Sequence, residues 1–202
     1  NAVPNNYVIY GGGSQPDTLI NKNNKWIKRQ IRAKAGKLRM KKSMKAWDKI
    51  DYLQKVIRQK VKHAGNELDV TKNPNKYTKY NHKKKSTYTL AKLGDYLKMN
   101  SVVCREFAFL TQVALQDAGF QSRLVMGTIK KNGKVVGGHA WNEVKLNGKW
   151  QMVDTTNPQF NKTSPKVAAD KGTKNGWVWT PSPFSFRMVP LEKDHRGRRQ
   201  QY

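Results

Sequence analysis

The sequence predicts an α+β fold in which a helix packs on an antiparallel sheet, and three observations support this prediction. Residues 43–63 and 102–118 place apolar side chains every three or four positions, as amphipathic helices do. Asn-Gly pairs at 132–133 and 147–148 separate segments with alternating apolar and polar residues, as β-hairpin turns do. The segment "GWVWT", further along the chain, is typical of another strand.

The first half of the chain predicts basic helices separated by irregular segments. Residues 1–20 include "YGGGSQPD" and show no periodicity, so we expect them to be irregular. A very basic helix is expected over 24–42, followed by the best amphipathic helix of this half over 43–63. The polar, basic stretch 71–86 predicts an exposed loop, and leucines on one face predict a short helix around 89–98.

The second half of the chain predicts one long helix and several strands. Asn100 or Ser101 can cap a helix that runs from about 102 to 118, and Gly119 can end it. Strands are expected on both sides of the two Asn-Gly turns. Their ranges are 122–129, 135–146 and 149–156, with two further strands in "GWVWT" and "PFSFRMV".

The chain is strongly basic, and its charge is unevenly distributed. Forty Lys and Arg against 13 Asp and Glu give a net charge of +27. Ten basic residues and no acidic one occur between Lys22 and Lys42, whereas residues 101–160 carry a net charge of only +3. Such a field would attract nucleic acid, an anionic lipid surface or an acidic protein. The alternative is a solvated surface without a partner.

The length of 202 residues suits one domain with appended segments. We expect a basic, largely helical N-terminal segment with flexible ends over 1–87, a core over 88–190 and a charged tail over 191–202. No apolar run approaches the roughly 18 residues of a membrane-spanning helix, so we expect a soluble protein. Because the chain begins with Asn1 rather than Met, we expect a processed product or an excised domain.

Cys104 is the only cysteine, which excludes an internal disulfide framework and a multi-cysteine zinc site. It falls in the first turn of the helix predicted over 102–118. There, unpaired backbone N–H groups and the helix dipole stabilise a thiolate, and the same groups can support an oxyanion. The sequence therefore leaves two interpretations of Cys104, a nucleophile or a small buried apolar residue.

The second Asn-Gly turn brings a histidine towards a carboxylate. A two-residue turn at 147–148 pairs Trp141 with Asp154, so His139, Trp141 and Asp154 project from one face of the hairpin. His139 and Asp154 are then diagonal neighbours, about 7–8 Å apart, within reach of a side-chain hydrogen bond. Such a carboxylate orients an imidazole that acts as a general base. A one-residue bulge would put Asp154 on the opposite face, and each residue taken singly could be an ordinary loop residue.

Other polar residues are interpreted as lying outside any site. His63, His82 and His195 occur in polar, basic surroundings without a hairpin link to a carboxylate, so we expect them on the surface. Glu106 is expected to face solvent or Arg105 rather than to take part in chemistry.

Two motifs extend this pattern over a longer stretch of the chain. They are "VVCREFAFLTQVALQDAGFQSRLVMG" and "GGHAWNEVKLNGKWQMVDTT", in that order. Together they resemble the transglutaminase-like superfamily of papain-like thiol enzymes over roughly residues 88–158. The residues that match the family pattern are Cys104, Phe107, Leu110, Gly119, Arg123, Val125, Gly127, His139, Trp141, Glu143, Val144, Trp150, Val153 and Asp154.

The resemblance implies a papain-like or transglutaminase-like core, with the cysteine-bearing helix on the antiparallel sheet. It implies a nucleophile at Cys104, a base at His139 and an orienting acid at Asp154. The chain departs from the family pattern at 102–103, where two valines stand in a position that often holds glycine.

The oxyanion-hole side chain that relatives often carry upstream of the cysteine is not identified by the pattern. Tyr96 and Asn100 are the candidates in this chain.

The implied reaction is cysteine-dependent acyl transfer on protein amide groups through a Cys-His-Asp triad. Cys104 would convert a glutamine carboxamide into a thioester. Attack by water would then complete a deamidation, and attack by a lysine amine would form a crosslink. A cysteine peptidase with the same triad is one alternative. A nucleic-acid- or anionic-surface-binding module with a degenerate triad is another. No metal or organic cofactor is needed, and the lack of an EF-hand-like acidic loop argues against calcium dependence.

The resemblance also implies partners and a location. The substrate would be a glutamine-containing protein, and the basic half would bind an acidic partner or inhibitor protein, or nucleic acid. Small basic domains of this kind resemble the toxin or effector ends of larger secreted bacterial proteins. We therefore expect a secreted or delivered effector rather than a resident cytoplasmic protein.

Overall fold

The computed structural model describes residues 3–11, 16–81, 86–161 and 176–191, and it confirms the α+β class. A π-helical segment, Ile27–Arg32, continues directly into the first α-helix. The helices are α1 (Ala33–Met40), α2 (Ala46–Lys60), α3 (Asp69–Lys72), α4 (Leu93–Met99) and α5 (Cys104–Asp117). The strands are β1 (Tyr7–Ile9), β2 (Asp17–Leu19), β3 (Lys62–His63), β4 (Thr78–Asn81), β5 (Ser86–Lys92), β6 (Ser101–Val102), β7 (Ser122–Lys131), β8 (Lys134–Leu146), β9 (Lys149–Val153), β10 (Trp177–Pro181) and β11 (Met188–Pro190).

Helix α5 lies at the centre of the fold. Its residues from Arg105 to Leu115 are all buried, which is typical of a helix enclosed on every side. It contacts α1 and α2 as well as β7 and β8. Val103 precedes α5 in an extended conformation, and Gly119 follows it with a φ of +86°. The helix thus begins and ends close to the predicted positions.

The sheet next to α5 has the strand order β10-β7-β8-β9, and both predicted Asn-Gly turns shape it. The turn residues all have positive φ, as a two-residue type I′ turn requires. They are Asn132, Gly133, Asn147 and Gly148. The β8–β9 register runs without a shift from Leu146↔Lys149 to Asn142↔Val153. The predicted register of this hairpin is confirmed up to that pair, whereas β9 ends at Val153 rather than at residue 156.

A second sheet corrects several expectations for the rest of the chain. Residues 1–20 and 71–86 are not irregular throughout, because β1, β2 and β4 join β5 and β11 in the order β11-β1-β2-β5-β4. The helix expected around 89–98 begins only at Leu93, because the residues before it belong to β5. In "PFSFRMV" only the end is a strand, in β11. Strands β1 and β2 pair with distant segments, so local periodicity does not reveal them, whereas β4 pairs with the next strand, β5.

The helices of the first half and α5 share one apolar core. Ile31 and Leu53 belong to the same buried cluster as Phe107 and Leu110. The division into 1–87, 88–190 and 191–202 stays a prediction, and residues 192–202 lie outside the described part of the chain. None of the helices in the described ranges is long and apolar enough to cross a membrane.

Candidate active site

Cys104 is the first residue of α5, and a short parallel ladder holds the chain that leads into it. Strand β6 pairs with β3, and the Ala64 N–H donates to the Val102 carbonyl at 2.9 Å. The thiol is half-buried. The first N–H groups of a helix precede its i→i−4 ladder and remain available to an anion, so the predicted position of Cys104 at a helix N-terminus is confirmed.

His139 lies on β8 opposite Gly127 of β7, and its ring is buried. Its Nε2 atom lies 2.7 Å from Oδ2 of Asp154. The predicted contact between these two side chains is confirmed. Because Nε2 is engaged by the carboxylate, Nδ1 is the ring nitrogen left for the thiol. Cys104 lines the same cleft as His139 and lies close enough to the ring to raise its pKa.

Asp154 follows β9 directly and is completely buried. Besides the His139 ring, its carboxylate accepts the Trp179 indole N–H at 3.0 Å. The backbone N–H groups of Thr156 and Asn157 donate to Oδ1 at 3.0 and 3.1 Å. This set of donors fixes both carboxylate oxygens, so the acid cannot turn away from the imidazole.

The protonation of His139 reflects three competing influences. Burial by itself would lower its pKa. The hydrogen bond to Asp154, the hydrogen bond to Cys104 and the negative charges of both partners outweigh burial and raise the pKa of His139 to about 9. The protonated imidazole is therefore favoured beside the sulfur at neutral pH, as expected for a thiolate–imidazolium pair.

A cleft of about 420 Å³ opens beside Cys104 and His139. Its other lining residues are Val103, Arg105, Met126, Gly127, Gly138, Ala140 and Phe186. Gly127 is needed there, because a Cβ at this position would collide with the Thr180 carbonyl and press on the Trp141 ring. The cleft is large enough for an extended side chain and mostly apolar apart from the cysteine, histidine and arginine.

Aromatic residues form the wall behind the histidine. The Trp141 ring stacks on His139 with 5.8 Å between centroids, and Trp179 meets His139 edge-on at 6.4 Å. Sequence reasoning assigned "GWVWT" to a strand but missed the contact of Trp179 with Asp154. The motif itself gave no signal for it, because the pairing of β10 with β7 alone brings this indole to the site.

The two residues after the cysteine form a buried ion pair. Arg105 Nη2 lies 3.1 Å from Glu106 Oε1, and Glu106 is fully buried rather than facing solvent. Of the two surroundings expected for Glu106, solvent or Arg105, the structure shows the contact with Arg105. The same guanidinium donates to Thr18 Oγ1 of β2 at 3.4 Å, which links the nucleophile helix to the second sheet.

The remaining candidates lie away from the cleft or outside the described residues. His63 is exposed, as expected, although partial burial and the positive charge of nearby His139 lower its pKa. Tyr96 is fully buried and Asn100 ends α4 in a left-handed conformation, and neither lines the cleft. His82 and His195 lie outside the described part of the chain.

Within the described ranges, no group of three or more His, Cys, Asp or Glu side chains is arranged to hold a metal ion. The thiol, the imidazole and the carboxylate behind it meet at the cleft, which the Arg105 guanidinium also lines.

Comparisons with known proteins agree with this architecture. The family model described as "Transglutaminase-like superfamily" matches residues 32–155, which is more than half of the chain. No curated protein matches the chain.

Similar solved structures include a proposed cysteine protease from Cytophaga hutchinsonii, with 17% identity and a TM-score of 0.43, over 81% of this chain and 53% of that one. A TGase is 18% identical, with a TM-score of 0.39, over 65% of this chain and 33% of that one. A proposed protease from Parabacteroides distasonis is 12% identical, with a TM-score of 0.44, over 82% and 28%. The chain thus spans about half or less of the length of these proteins.

Proposed function

The chain belongs to the transglutaminase-like superfamily, and we propose that it is a cysteine-dependent acyltransferase or amidohydrolase that acts on glutamine side chains of proteins. The observation that carries this proposal is the position of His139. Its ring is hydrogen-bonded to Asp154 through Nε2, while its other nitrogen is left for Cys104. The three side chains come from three separate segments, and an incidental histidine would not need this arrangement.

The first half of the reaction forms a thioester. The Cys104 thiolate attacks the carbonyl carbon of the carboxamide, and the electron pair of the C=O bond moves to oxygen. The N-terminal amides of α5 are the donors nearest to that oxyanion. The C–N bond then breaks as the His139 imidazolium delivers its proton to the leaving nitrogen, and ammonia is released.

The second half of the reaction transfers the acyl group. Neutral His139 takes a proton from the incoming nucleophile, which attacks the thioester and releases the Cys104 thiolate. Water as the nucleophile leaves a glutamate, which is deamidation. A lysine amine leaves an isopeptide bond, which is a crosslink. Asp154 keeps the imidazole oriented in both halves and stabilises its protonated form.

Peptide bond cleavage uses the same steps up to the thioester and differs only in the leaving amine. The experiment that separates these reactions is mass spectrometry of a glutamine-rich protein substrate incubated with the enzyme. We expect a gain of about 1 Da on glutamine for deamidation, or a loss of about 17 Da with linkage for a crosslink, because ammonia leaves in both. New chain termini would identify a peptidase instead.

The control for this experiment is Cys104→Ala, which removes the nucleophile but keeps a small residue at the start of α5. Product formation and iodoacetamide labelling should both disappear. Unchanged activity in this variant would overturn the thiol mechanism.

A specific surface favours a second function, binding of single-stranded nucleic acid. A concavity of about 370 Å³ is lined by the Trp26 ring and four basic residues. The basic residues are Lys25, Arg29, Lys60 and Lys98. Among the described residues none of the four has a salt-bridge partner, and cations around an aromatic ring suit phosphates and a stacked base.

The test of this second function is binding of a labelled oligonucleotide at several salt concentrations. Lys25→Gln with Lys98→Gln should weaken binding and reduce its salt dependence, whereas Lys134→Gln, on the distant β7–β8 turn, should not. Binding of an acidic peptide but not of the oligonucleotide would identify an acidic protein as the partner and exclude nucleic acid.

A further inference from the structure

Strand β7 has two edges, and the edge away from β8 is covered only in part. Strand β10 pairs with it from Lys131 to Gly127. The Ser182 N–H then adds a last hydrogen bond to the Met126 carbonyl at 2.8 Å. Beyond Met126, no described residue pairs with this edge of β7.

The hydrogen-bond pattern identifies which backbone groups face the uncovered edge. In an antiparallel sheet, successive residues of a strand direct their N–H and C=O groups to opposite edges. The Lys145 N–H donates to the Gln121 carbonyl, so odd-numbered residues of β7 face β8. Met126 accepts from Ser182, so even-numbered residues face the other edge. The N–H and C=O of Leu124 and the N–H of Met126 therefore point outwards, and no described residue bonds to them.

A local turn keeps the chain after β10 away from this edge. Continued register would bring Phe184 opposite Leu124. Instead, the Phe184 N–H donates to Ser182 Oγ at 3.2 Å, and its ring is 76% exposed. A slot of about 230 Å³ opens between β7 and residues 181–185 as a result.

The slot has a polar wall formed by a buried carboxylate. Glu143 is 1% exposed and lines the slot. Its Oε1 accepts from Arg123 Nε at 2.7 Å. Its Oε2 has no hydrogen-bond partner within 3.5 Å among the described residues, although the nearby Trp141 side chain, like Arg123, opposes the rise in the pKa of Glu143 that burial causes. A buried oxygen without a donor costs free energy, and an incoming N–H or O–H group would recover it.

The slot adjoins the cleft of the proposed nucleophile. Met126 lines both spaces, and Phe186 borders the cleft directly after the residues that border the slot. Two residues of extended chain cover about 7 Å, which is the separation of Leu124 and Met126 along β7. A polypeptide with one side chain in the cleft would therefore have neighbouring residues at the slot.

We propose that the edge of β7 at residues 124–126, to which no described residue bonds beyond the Met126 carbonyl, binds an extended segment of the protein substrate as an added β-strand. One substrate residue lies opposite Leu124 and exchanges two backbone hydrogen bonds with it. The Met126 N–H donates to the backbone carbonyl of the substrate residue two positions further along. The substrate residue between these two directs its side chain to the face of the sheet that carries Val125 and Glu143. That side chain carries an N–H or O–H donor for Oε2 of Glu143. This inference rests on the proposed function, because the occupant is the substrate of that reaction.

The experiment holds a substrate analogue in place and reads the backbone amides of β7. The probe is a heptapeptide whose central glutamine carries a chloromethyl ketone instead of the carboxamide. The Cys104 thiolate displaces chloride from it, so that a C–S bond forms as the C–Cl bond breaks. By NMR, hydrogen exchange of the Leu124 and Met126 amides should slow at least about tenfold in the labelled enzyme. The Val125 amide already faces β8 and should not change.

The outcomes separate the two proposals. Labelling of Cys104 with unchanged exchange at Leu124 and Met126 would overturn substrate binding at this edge and leave the proposed thiol chemistry intact. Failure of the probe to label Cys104 would count against the proposed function, and the edge proposal would fall with it.

Backbone N-methylation of the probe gives a second, independent measurement. Methylation that removes the peptide N–H donating to the Leu124 carbonyl should slow labelling of Cys104 about tenfold. Methylation of the next peptide nitrogen should change labelling less than about twofold, because that N–H faces away from β7. Equal effects at the two positions would contradict an added strand.

Discussion

Two buried carboxylates line the same sheet, and their surroundings differ. Asp154 accepts an indole N–H, two backbone N–H groups and the His139 ring, and none of these partners is a permanent cation. Glu143 is paired with the guanidinium of Arg123 and keeps one oxygen without a donor among the described residues.

The difference shows how the surroundings of two buried acids on one sheet suit them to different roles. A carboxylate held by neutral donors keeps its charge available to a neighbour that can become positive, which here is the imidazole beside Cys104. A carboxylate paired with arginine already has its counter-ion. Asp154 can therefore stabilise the proton that His139 carries at the cleft. Glu143 instead joins β7 and β8 through its ion pair with Arg123 and forms part of the wall of the slot.

The largest effect is expected from a test of the different roles of Asp154 and Glu143, in which each acid is neutralised in turn. Asp154→Asn should lower kcat/KM about 10³- to 10⁴-fold, because the amide favours the wrong imidazole tautomer and does not stabilise imidazolium. The matched variant Glu143→Gln should keep kcat within about tenfold. Ammonia release from a glutamine peptide measures both, with thermal melting as the folding control. Similar losses in the two variants would contradict the assignment of roles.

The pH dependence of activity tests whether Asp154 sets the charge of His139. Activity should fall as pH rises through about 9, where His139 loses its proton. Because the folded-state pKa lies above the ordinary value of 6.5, the associated stability is complete below about pH 6.5 and is lost as pH rises through about 9. In Asp154→Asn the basic limb of the kcat/KM profile should move to lower pH. An unmoved limb would show that Asp154 does not set the charge of His139.

A smaller effect is expected from removing the counter-ion of Glu143. Burial raises the pKa of Glu143 even with Arg123 present. Arg123→Ala should destabilise the fold by about 1–3 kcal/mol at pH 8, a value discounted because Arg123 is partly exposed. Because the pKa of Glu143 is raised, ionisation of its buried carboxyl lowers the stability of the fold as pH increases. The destabilisation caused by Arg123→Ala should therefore be smaller at pH 5, where this carboxyl is protonated more readily. Urea unfolding at both pH values measures this, and an equal loss at both would be inconsistent with it.

The smallest effect should come from one neutral donor of Asp154. Trp179→Phe retains an aromatic ring next to Phe160 but removes the N–H that bonds Oδ2. We expect kcat/KM to fall about three- to tenfold, the value of a single hydrogen bond. Trp177→Phe, in the same cluster but without this bond to Asp154, should stay within about twofold. A reversed order of the two variants would refute the proposed role of the indole.

The candidate site was predictable because its geometry is local. Residues 147–148 fix a two-residue turn, and the side-chain period of two then determines which residues share the face of His139. The start of α5 near Cys104 was predictable from apolar spacing. The predicted cap was wrong, because Val103 is the N-cap without a side-chain hydrogen bond, Asn100 ends α4 and Ser101 lies in β6. Each of these inferences uses residues within about one hairpin or helix of each other.

Several of the missed features depend on distant pairing. Strand β2 has three residues and lies parallel to β5, and β1 pairs with β11 from the other end of the described chain. Such short strands have no detectable period, and their stability comes from neighbours that the local sequence does not name. The contact of Trp179 with Asp154 was missed for the same reason.

The sequence by itself determined the hairpins, the nucleophile helix and the histidine–carboxylate pair, since turn chemistry and side-chain periodicity act over a few residues. Only the tertiary structure decided which nitrogen of His139 faces the thiol, which acid received arginine, and where β7 has an edge to which no described residue bonds. The arginine pair depends on the register shift within the β7–β8 hairpin. The edge of β7 depends on β10, which arrives from further along the chain, and burial and hydrogen-bond satisfaction select among the partners.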